Sequence, residues 1–413
     1  MNLLFLLLIF LLSAGFLSDL VLDLLNLNHI QPELPKLPGK GYNRESYRKS
    51  QLYLKEQGRF GLLVSSAGFL AILLILVFGG FAWLDSLAWS IAGNHPVIAA
   101  LLFFGILGLA ADLAGTPFDL YSTFVIEEKY GFNKTTPGTY ILDKLKSWLL
   151  AILIGIPLLA LIIWLYTIAG KWFWVFAWAI ISGFSVLMSF FYSTLIVPLF
   201  NKQQPLEEGE LRSAIEQLGR DSGFPLSKVF VINGSKRSTK ANAYFAGFGN
   251  KRRIVLYDTL IADMTINQIL AVLSHEIGHY KKKHVLLGMA GSVVQTGILL
   301  FLFSLVAGNP ALANAVSVTQ PDFQISILVF GILYSPVSML MGLLFNYQSR
   351  RFEYQADAFA SGLGFAEDLS LALIGLTEKN LGNLTPHPAY VFVHYTHPTL
   401  LQRINRLLNE SNS

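Results

Sequence analysis

The sequence predicts a polytopic α-helical membrane protein with seven transmembrane helices. Hydrophobic residues make up 53% of the chain and charged residues only 14%, whereas soluble domains carry roughly 25% charged residues. Seven apolar stretches each supply the about 20 residues that a helix needs to cross a hydrocarbon core. Their approximate limits are 2–24, 60–84, 96–116, 147–168, 172–197, 285–307 and 325–346.

The first apolar stretch could be read as a signal peptide. It lacks a basic segment before the apolar run and a clear small-residue cleavage site, and the run is long. We therefore expect it to remain in the protein as the first membrane helix.

The basic residues of the loops predict the orientation in the membrane. Loops 85–95 and 308–324 contain no Lys or Arg, and the segment 198–284 and the tail are rich in both. By the positive-inside rule the N-terminus lies outside, and the C-terminus lies in the cytosol. The loop after span one contains Lys36, Lys40, Arg44, Arg48, Lys49 and Lys55. The loop after span three contains Lys129, Lys134, Lys144 and Lys146.

The spans and polar segments predict four parts of the chain. Helices 1–5 with their cytosolic loops occupy 1–197, and a polar cytosolic region follows at 198–284. Helices 6 and 7 occupy 285–346, and a C-terminal cytosolic part occupies 347–413. The second part shows a helix at Glu207–Ser222, a strand at Lys228–Asn233, and β-prone runs at Asn242–Gly249 and Arg252–Ile261 with a turn signal at Gly249-Asn250. A short β-sheet is therefore expected beside the membrane helices.

The pentapeptide His275-Glu276-Ile277-Gly278-His279 indicates the chemistry, and it lies in an apolar-periodic stretch, Ile269–His284. Residues four apart share one face of a helix, so both imidazoles can bind one ion. Neutral imidazole suits Zn²⁺, and Glu276 is placed to act as general base. The chain has no cysteine, so any further ligand must be His, Asp or Glu. Gly278 would let another backbone approach closely.

A catalytic zinc ion needs a third protein ligand, and Glu353 is the best candidate. It stands just past the last span, and Asp357 follows one helical turn later. A carboxylate there could accept the second ring N–H of a metal-bound histidine. The alternative is a solvated helix start with paired Arg and acidic residues.

Two other histidines are weighed against a structural role. His397, before Pro398-Thr399 and a helix-like tail at Leu400–Asn409, could stabilise an oxyanion; by chemistry alone, a locally bonded loop histidine is the simpler reading. His284 would lie about 140° around the helix from His279 and is a poor ligand.

The segment Asn242-Ala243-Tyr244-Phe245 directly precedes the zinc motif region. A free strand edge there could pair with an extended substrate. An ordinary structural strand is the alternative, and the residues alone do not decide between them.

The zinc motif, the Glu353 segment, His397-Pro398-Thr399 and Asn242-Ala243-Tyr244-Phe245 together resemble motifs of the type I CaaX prenyl proteases, which are integral-membrane zinc metallopeptidases. The resemblance also includes Glu127–Lys134, Asn201-Lys202 and Arg253–Leu260. It implies a seven-helix barrel around an intramembrane chamber, with the site at its cytosolic end. It further implies one Zn²⁺ held by His275, His279 and Glu353, catalytic roles for Glu276, Asp357 and His397, and substrate binding by Asn242, Ala243, Tyr244 and Phe245.

We therefore expect a zinc metalloendopeptidase that acts near the C-terminus of CaaX-like, possibly prenylated or otherwise membrane-associated, peptide or protein substrates. The expected partners are substrate and membrane lipid, with no nucleic acid, and the expected state is a monomer. The short loops and the tail, which has no ER-retrieval signal, favour a bacterial inner (plasma) membrane.

Two alternatives remain open. The first is a quality-control protease for non-prenylated membrane proteins, which differs only in substrate. The second is a non-enzymatic transporter or scaffold, which would show inverted repeats and paired intramembrane charges. No repeat is evident, and Asp112 is the acid clearly inside a span; it could line a wet chamber or lie near an interface.

Overall fold

The computed structural model describes residues 2–31, 33–35, 42–224, 228–246 and 253–410. Within these residues, seven helices are long and apolar enough to cross a membrane, as predicted. They are Leu3–Asn28, Arg44–Val77, Pro96–Glu127, Pro137–Ile168, Gly170–Phe200, His284–Val306 and Phe323–Gly362. Lys36, Lys40 and the Gly249-Asn250 turn signal lie outside the described residues.

The regular α-helical segments are numbered along the chain, and spans four and five each contain two of them. The membrane part comprises α1 (Leu3–Asn28), α2 (Arg44–Val77), α3 (Gly80–Ala92), α4 (Pro96–Tyr121), α5 (Pro137–Leu150), α6 (Ile156–Ile168), α7 (Phe173–Phe191) and α8 (Val197–Phe200). The rest comprises α9 (Glu210–Asp221), α10 (Asp258–Asp263), α11 (Ile266–Lys281), α12 (His284–Val306), α13 (Pro310–Ala315), α14 (Phe323–Gly362), α15 (Ala366–Lys379), α16 (Pro388–His394) and α17 (Leu400–Glu410).

The second span differs most from its predicted limits of 60–84. The side chain of Asn43 accepts hydrogen bonds from the backbone N–H groups of Glu45 and Ser46 and so starts the helix early. The helix ends at Val77, and Gly79 has a φ of 71°, a conformation that glycine adopts without a steric penalty. The apolar residues after Gly79 therefore belong to α3, a separate helix.

Spans three, four and five each contain one π-helical segment: Ser122–Glu127, Ala151–Gly155 and Tyr192–Ile196. Such segments are rare and frequently occur at functional sites. The first and third lie at the ends of their spans that face the β-sheet, since Glu127 and Ser193 contact residues of the sheet region.

The sheet has four strands in the order β1-β2-β4-β3. The strands are β1 (Gln203–Pro205), β2 (Lys228–Ile232), β3 (Ala243–Ala246) and β4 (Arg253–Tyr257). β2 and β4 are parallel, whereas β1 and β3 pair antiparallel to them. The predicted β-prone run to Ile261 is wrong beyond Tyr257, because the next residues form α10. β1 was not predicted.

The core of the polar region lies between the sheet, α9 and α11. Its fully buried side chains include Ile215, Ile254, Leu256, Ile269 and Leu273. α11 starts with a capping box in which Thr265 and Gln268 satisfy each other's backbone N–H groups. The helix of the zinc motif is therefore fixed both at its start and along its apolar face.

The last span continues into the polar region without a break. α14 is one helix of 40 residues that contains the whole Glu353–Asp357 segment, so the predicted boundary at 346/347 falls inside a helix. The reading of this segment as a solvated helix start is wrong, because Glu353 and Asp357 are buried. The division of the chain into four parts stays a prediction.

Candidate metal centre and active site

α11 brings His275 and His279 together on one face, as the four-residue spacing predicts. Their Nε2 atoms lie 3.1 Å apart. The rings are nearly perpendicular, at 79°. Both nitrogens thus point toward one point beside the helix.

α14 supplies a carboxylate to the same point. Glu353 Oε2 lies 3.4 Å from His275 Nε2, and Oε1 lies 3.2 Å from His279 Nε2. One ligand atom from each of the three residues lies within 4.8 Å of the others. The structure therefore brings together the three predicted ligands.

The group fits a zinc ion by its own chemistry. Glu353 is 4% exposed, and its Oε2 has no hydrogen-bond partner, although a buried carboxylate oxygen is costly without one. Two imidazole nitrogens that face each other also need a cation or a proton between them. Two nitrogens and a carboxylate are the protein donor set of many catalytic zinc sites.

Gly278 explains how α11 and α14 come close enough. A Cβ atom at this position would lie 3.0 Å from the Cα atom of Ala356 and 3.0 Å from the Cβ atom of Phe359. The expected close approach of another backbone is therefore observed. The helical glycine, which costs about 1 kcal/mol relative to alanine, brings Glu353 within reach of the histidines.

Asp357 lies behind His275. Its Oδ1 is 2.8 Å from His275 Nδ1, as a carboxylate that orients a ligand would be. Asp357 in turn accepts two hydrogen bonds from Arg403, at 2.6 and 2.9 Å. This position supports a positioning role for Asp357 more than direct contact with substrate.

Arg403 was not predicted. It lies on α17, is 8% exposed, and its Nη1 is 3.4 Å from Glu353 Oε2. One buried guanidinium thus contacts two buried carboxylates. Nothing in the local sequence separates it from neighbouring polar residues of an amphipathic helix.

His284 lies behind His279 and was also missed. The prediction that placed it about 140° away on the same helix is wrong, because α11 ends at Lys281 and Lys283 has a φ of 60°. The chain turns there, and His284 Nδ1 comes within 3.0 Å of His279 Nδ1. It remains outside the group of metal ligands, as expected.

Glu276 and His397 flank the three ligands. Burial raises the pKa of the Glu276 carboxyl above its usual value, which suits a group that takes up a proton. His397 Nε2 lies 3.4 Å from Glu353 Oε1, and its ring is exposed. Desolvation lowers the pKa of His397, whereas the neighbouring Glu353 carboxylate opposes this shift. A neutral imidazole can still donate one hydrogen bond.

Among the described strands, β3 lies at the edge of the sheet, with β4 as its partner. It contains Ala243, Tyr244 and Phe245, whereas Asn242 immediately precedes it and accepts a backbone hydrogen bond from Tyr257 at 3.1 Å. An edge strand leaves one row of backbone groups unpaired. The predicted substrate segment thus has the backbone geometry that β-augmentation requires.

Side chains from three membrane spans hold the segment that leads into β3. Arg237 forms two hydrogen bonds with Asp143 of α5, at 2.7 and 2.8 Å. Lys240 lies 3.0 Å from Glu127. Tyr244 and Ser193 hydroxyls are 3.5 Å apart. These contacts were not predicted, because each joins residues far apart in the sequence.

Asp112 pairs with a lysine of the next span. Lys144 Nζ lies 3.1 Å from Asp112 Oδ2, and Trp148 donates to the same oxygen at 3.2 Å. A paired intramembrane charge was an expectation of the transporter hypothesis. Whether the pair lines a chamber or lies at an interface stays open.

Comparison with known proteins agrees with these observations over the whole chain. A family model described as "CAAX prenyl protease N-terminal, five membrane helices" matches residues 23–202, and the model of peptidase family M48 matches residues 205–411. The boundary between the two falls within β1.

Similar full-length proteins come from several eukaryotes. A human CAAX prenyl protease 1 homolog is 34% identical, over 92% of this chain and 88% of that protein. The Arabidopsis thaliana homolog is 35% identical, over 96% and 95%. Saccharomyces cerevisiae CAAX prenyl protease 1 is 34% identical, over 91% and 89%.

A solved structure is similar in fold. The crystal structure of S. mikatae Ste24p superposes with a TM-score of 0.91. The two sequences are 33% identical, and the match covers 98% of this chain and 99% of that one. The match confirms the predicted fold class, seven membrane helices around an intramembrane chamber with a small sheet. It also favours a peptidase over a transporter or scaffold.

Three observations thus indicate the same family. They are the two family models, the relatives over 30% identical along nearly their whole length, and the candidate His-His-Glu zinc site. The chain belongs to peptidase family M48, as an integral, multi-pass membrane metalloendopeptidase of the zinc-dependent CAAX prenyl protease type.

Proposed function

We propose that this enzyme hydrolyses peptide bonds near the C-terminus of CaaX-like substrates whose lipid group enters the intramembrane chamber. The observations that support the proposal are the candidate metal group of His275, His279 and Glu353 and the edge strand β3, whose Ala243 packs against the hydrophobic core that contains Ile277 of the motif helix. A peptide bound along β3 would run past these residues.

Each residue of the candidate site has a distinct proposed role. His275, His279 and Glu353 would hold Zn²⁺, which supplies Lewis-acid polarisation of a peptide carbonyl and acidifies water when bound. Glu276 takes a proton from the attacking water and returns it to the leaving amine. His397 donates a hydrogen bond to the oxygen on which negative charge develops.

β3 would fix the register of the substrate. Asn242, Ala243, Tyr244 and Phe245 would offer backbone groups to an extended peptide, and Asp357 would orient His275 from behind. Because main-chain pairing is largely independent of side chains, selectivity would come from the chamber and from the lipid group of the substrate.

The test is cleavage of a farnesylated CaaX peptide beside its unprenylated twin, by protein purified in detergent and loaded with Zn²⁺. We expect the farnesylated peptide to be cut more efficiently in kcat/KM. Equal cleavage of both would contradict lipid-dependent selectivity and favour the quality-control reading. Absence of cleavage of either by zinc-loaded protein would contradict the CaaX assignment.

We propose that the N-terminus is outside and the active site in the cytosol, as the distribution of basic loop residues favours. The chain has no cysteine, so single cysteines can report on topology. Lys282→Cys should react with an impermeant thiol reagent from the cytosolic side, and Asn309→Cys from the other side. The reverse pattern would contradict this orientation.

We further propose that the enzyme acts as a monomer in contact with membrane lipid, because one chain supplies all three candidate ligands. Cross-linking in liposomes tests this state. A bacterial inner membrane stays a prediction from loop and tail composition, and the relatives named above are eukaryotic.

A further inference from the structure

His284 is a buried histidine that belongs to neither the ligand group nor the proposed reaction. It is 4% exposed and is the first residue of α12. Its Nδ1 lies 3.0 Å from His279 Nδ1, and its Nε2 lies 2.8 Å from Gln355 Oε1. Both ring nitrogens thus have a single defined partner.

The proposed ligand role of His279 fixes where the protons of this pair lie. His279 Nε2 faces His275 and Glu353, at 3.1 and 3.2 Å, so this nitrogen must be unprotonated to bind a metal. A neutral imidazole then carries its proton on Nδ1. His279 Nδ1 is therefore a donor.

The tautomer of His284 follows from the same reasoning. Its Nδ1 must accept the hydrogen bond from His279, because two N–H groups cannot bond to each other. The proton of neutral His284 is then on Nε2, where the side-chain oxygen of Gln355 accepts it. The direction of both hydrogen bonds is set by the metal-facing nitrogen of His279.

We propose that His284 and Gln355 are positioning residues that hold His279 in the tautomer and ring orientation needed for zinc. The inference rests on the proposed ligand role of His279. The aromatic ring of Phe352 stacks on His284 at 4.0 Å and 14°, which restricts the imidazole. The turn at Lys283 gives His284 its position, since a continuous helix would carry it away from His279.

The two zinc-motif histidines thus have different supports. His275 donates to a carboxylate that is itself held by Arg403, whereas His279 donates to the neutral imidazole of His284, which in turn donates to the side-chain oxygen of Gln355. A carboxylate partner increases the basicity of a ligating imidazole, and a neutral one does so less. A negative charge placed at position 355 should therefore strengthen zinc binding through His284.

The experiment measures zinc affinity by competition with a chromophoric chelator, on full-length protein in detergent. Loss of such an outer partner typically costs 10–100-fold in metal affinity, so we expect His284→Ala to weaken zinc binding by about that factor. His284→Asn, which retains an acceptor near the former Nδ1, should recover part of the loss. Gln355→Glu should bind zinc more tightly than the wild type.

His95→Ala is the matched control, because His95 is exposed in a loop far along the chain from the motif; its zinc affinity should be unchanged. Unchanged affinity in His284→Ala, or equal losses in His284→Ala and His284→Asn, would overturn the proposal. If apo and zinc-loaded His284→Ala lost thermal stability equally, the role would be structural only and the proposal would fail.

The same assay separates this inference from the proposed function. His279→Ala should lose zinc affinity whether or not His284 contributes, and a second change at His284 in that background should add little. Wild-type affinity in His279→Ala would contradict the ligand assignment itself. A loss in His279→Ala without one in His284→Ala would contradict only the inference about His284.

Discussion

The metal side and the strand side of the candidate site are held by different kinds of interaction. On the metal side, formed by α11, α14 and α17, charged groups are buried: Glu353, Asp357 and Arg403 are 4%, 1% and 8% exposed. On the strand side, formed by residues 233–246, the ion pairs of Arg237 and Lys240 are partly exposed.

This difference predicts unequal rigidity. Removal of one partner from a buried ion pair typically costs 3–5 kcal/mol, because a charge is left without compensation. Exposed pairs contribute about 0–1 kcal/mol. The metal side is therefore built to keep its geometry, whereas the strand side can adjust to a peptide at little cost. The predictions below test this contrast.

The largest expected effect is on turnover. Glu276→Gln removes the proposed general base with little change in shape, so kcat should fall by about 10²–10⁴-fold. Zinc content, measured by atomic emission, should equal that of the wild type because Glu276 is not a proposed ligand. Undiminished cleavage would end the proposed mechanism.

The next effect is on stability. Arg403→Ala leaves Asp357 and Glu353 buried without their shared cation, and we expect a loss of about 3–5 kcal/mol in the free energy of unfolding. Thermal unfolding in detergent measures it. Arg406→Ala on the same helix, where the guanidinium stacks on Tyr354, should cost about 1 kcal/mol or less. Similar losses in both variants would remove the contrast.

A smaller effect on turnover is expected from the exposed His397 on the metal side. His397→Ala should lower kcat by about 10²–10³-fold, the usual cost of one oxyanion donor, with KM nearly unchanged. The exposed His394, which is 3.8 Å from Asp19, provides a control: His394→Ala should retain activity. A rise in KM with normal kcat in His397→Ala would indicate a binding role instead.

The smallest effect belongs to the strand side. Arg237→Ala breaks the link to Asp143, and its cost of about 1 kcal/mol corresponds to a rise in KM of about 5-fold. kcat and zinc affinity should stay near wild type. Lys236→Ala, an exposed neighbour, is the control. A fall in kcat without a change in KM would falsify the expectation that the Arg237–Asp143 link affects substrate binding through β3.

Periodicity and composition predicted a helix or strand well where a single local apolar pattern defines it. The seven spans and the zinc-motif helix follow from local apolar patterns, and β2 follows from a β-branched run. The end of the second span was wrong because the left-handed conformation of Gly79 interrupts an apolar run that otherwise continues. The end of β4 was wrong because Asp258 starts a helix after it.

Some residues of the candidate site were predicted and others were not, because only some of them lie close together in the sequence. His275, Glu276 and His279 share one helical turn, so their spacing is sufficient. Glu353 was predicted from its place just past the last span and the absence of cysteine, with a solvated helix start left as the alternative, whereas His397 needed the family resemblance because nothing local links it to the motif. Arg403 was not predicted and His284 was considered only as a ligand, since each acts through a contact that depends on how separate helices pack.

The sequence by itself determined the membrane class, the number of spans, the metal chemistry and the two histidines that face one point, because these depend on short-range periodicity and residue type. Only the tertiary structure decided that α14 continues past the last span to carry Glu353 against Gly278, and that β3 lies at the sheet edge. It also decided that Arg403 and His284 support different zinc-motif histidines. These features depend on the packing of distant segments, which no local pattern encodes.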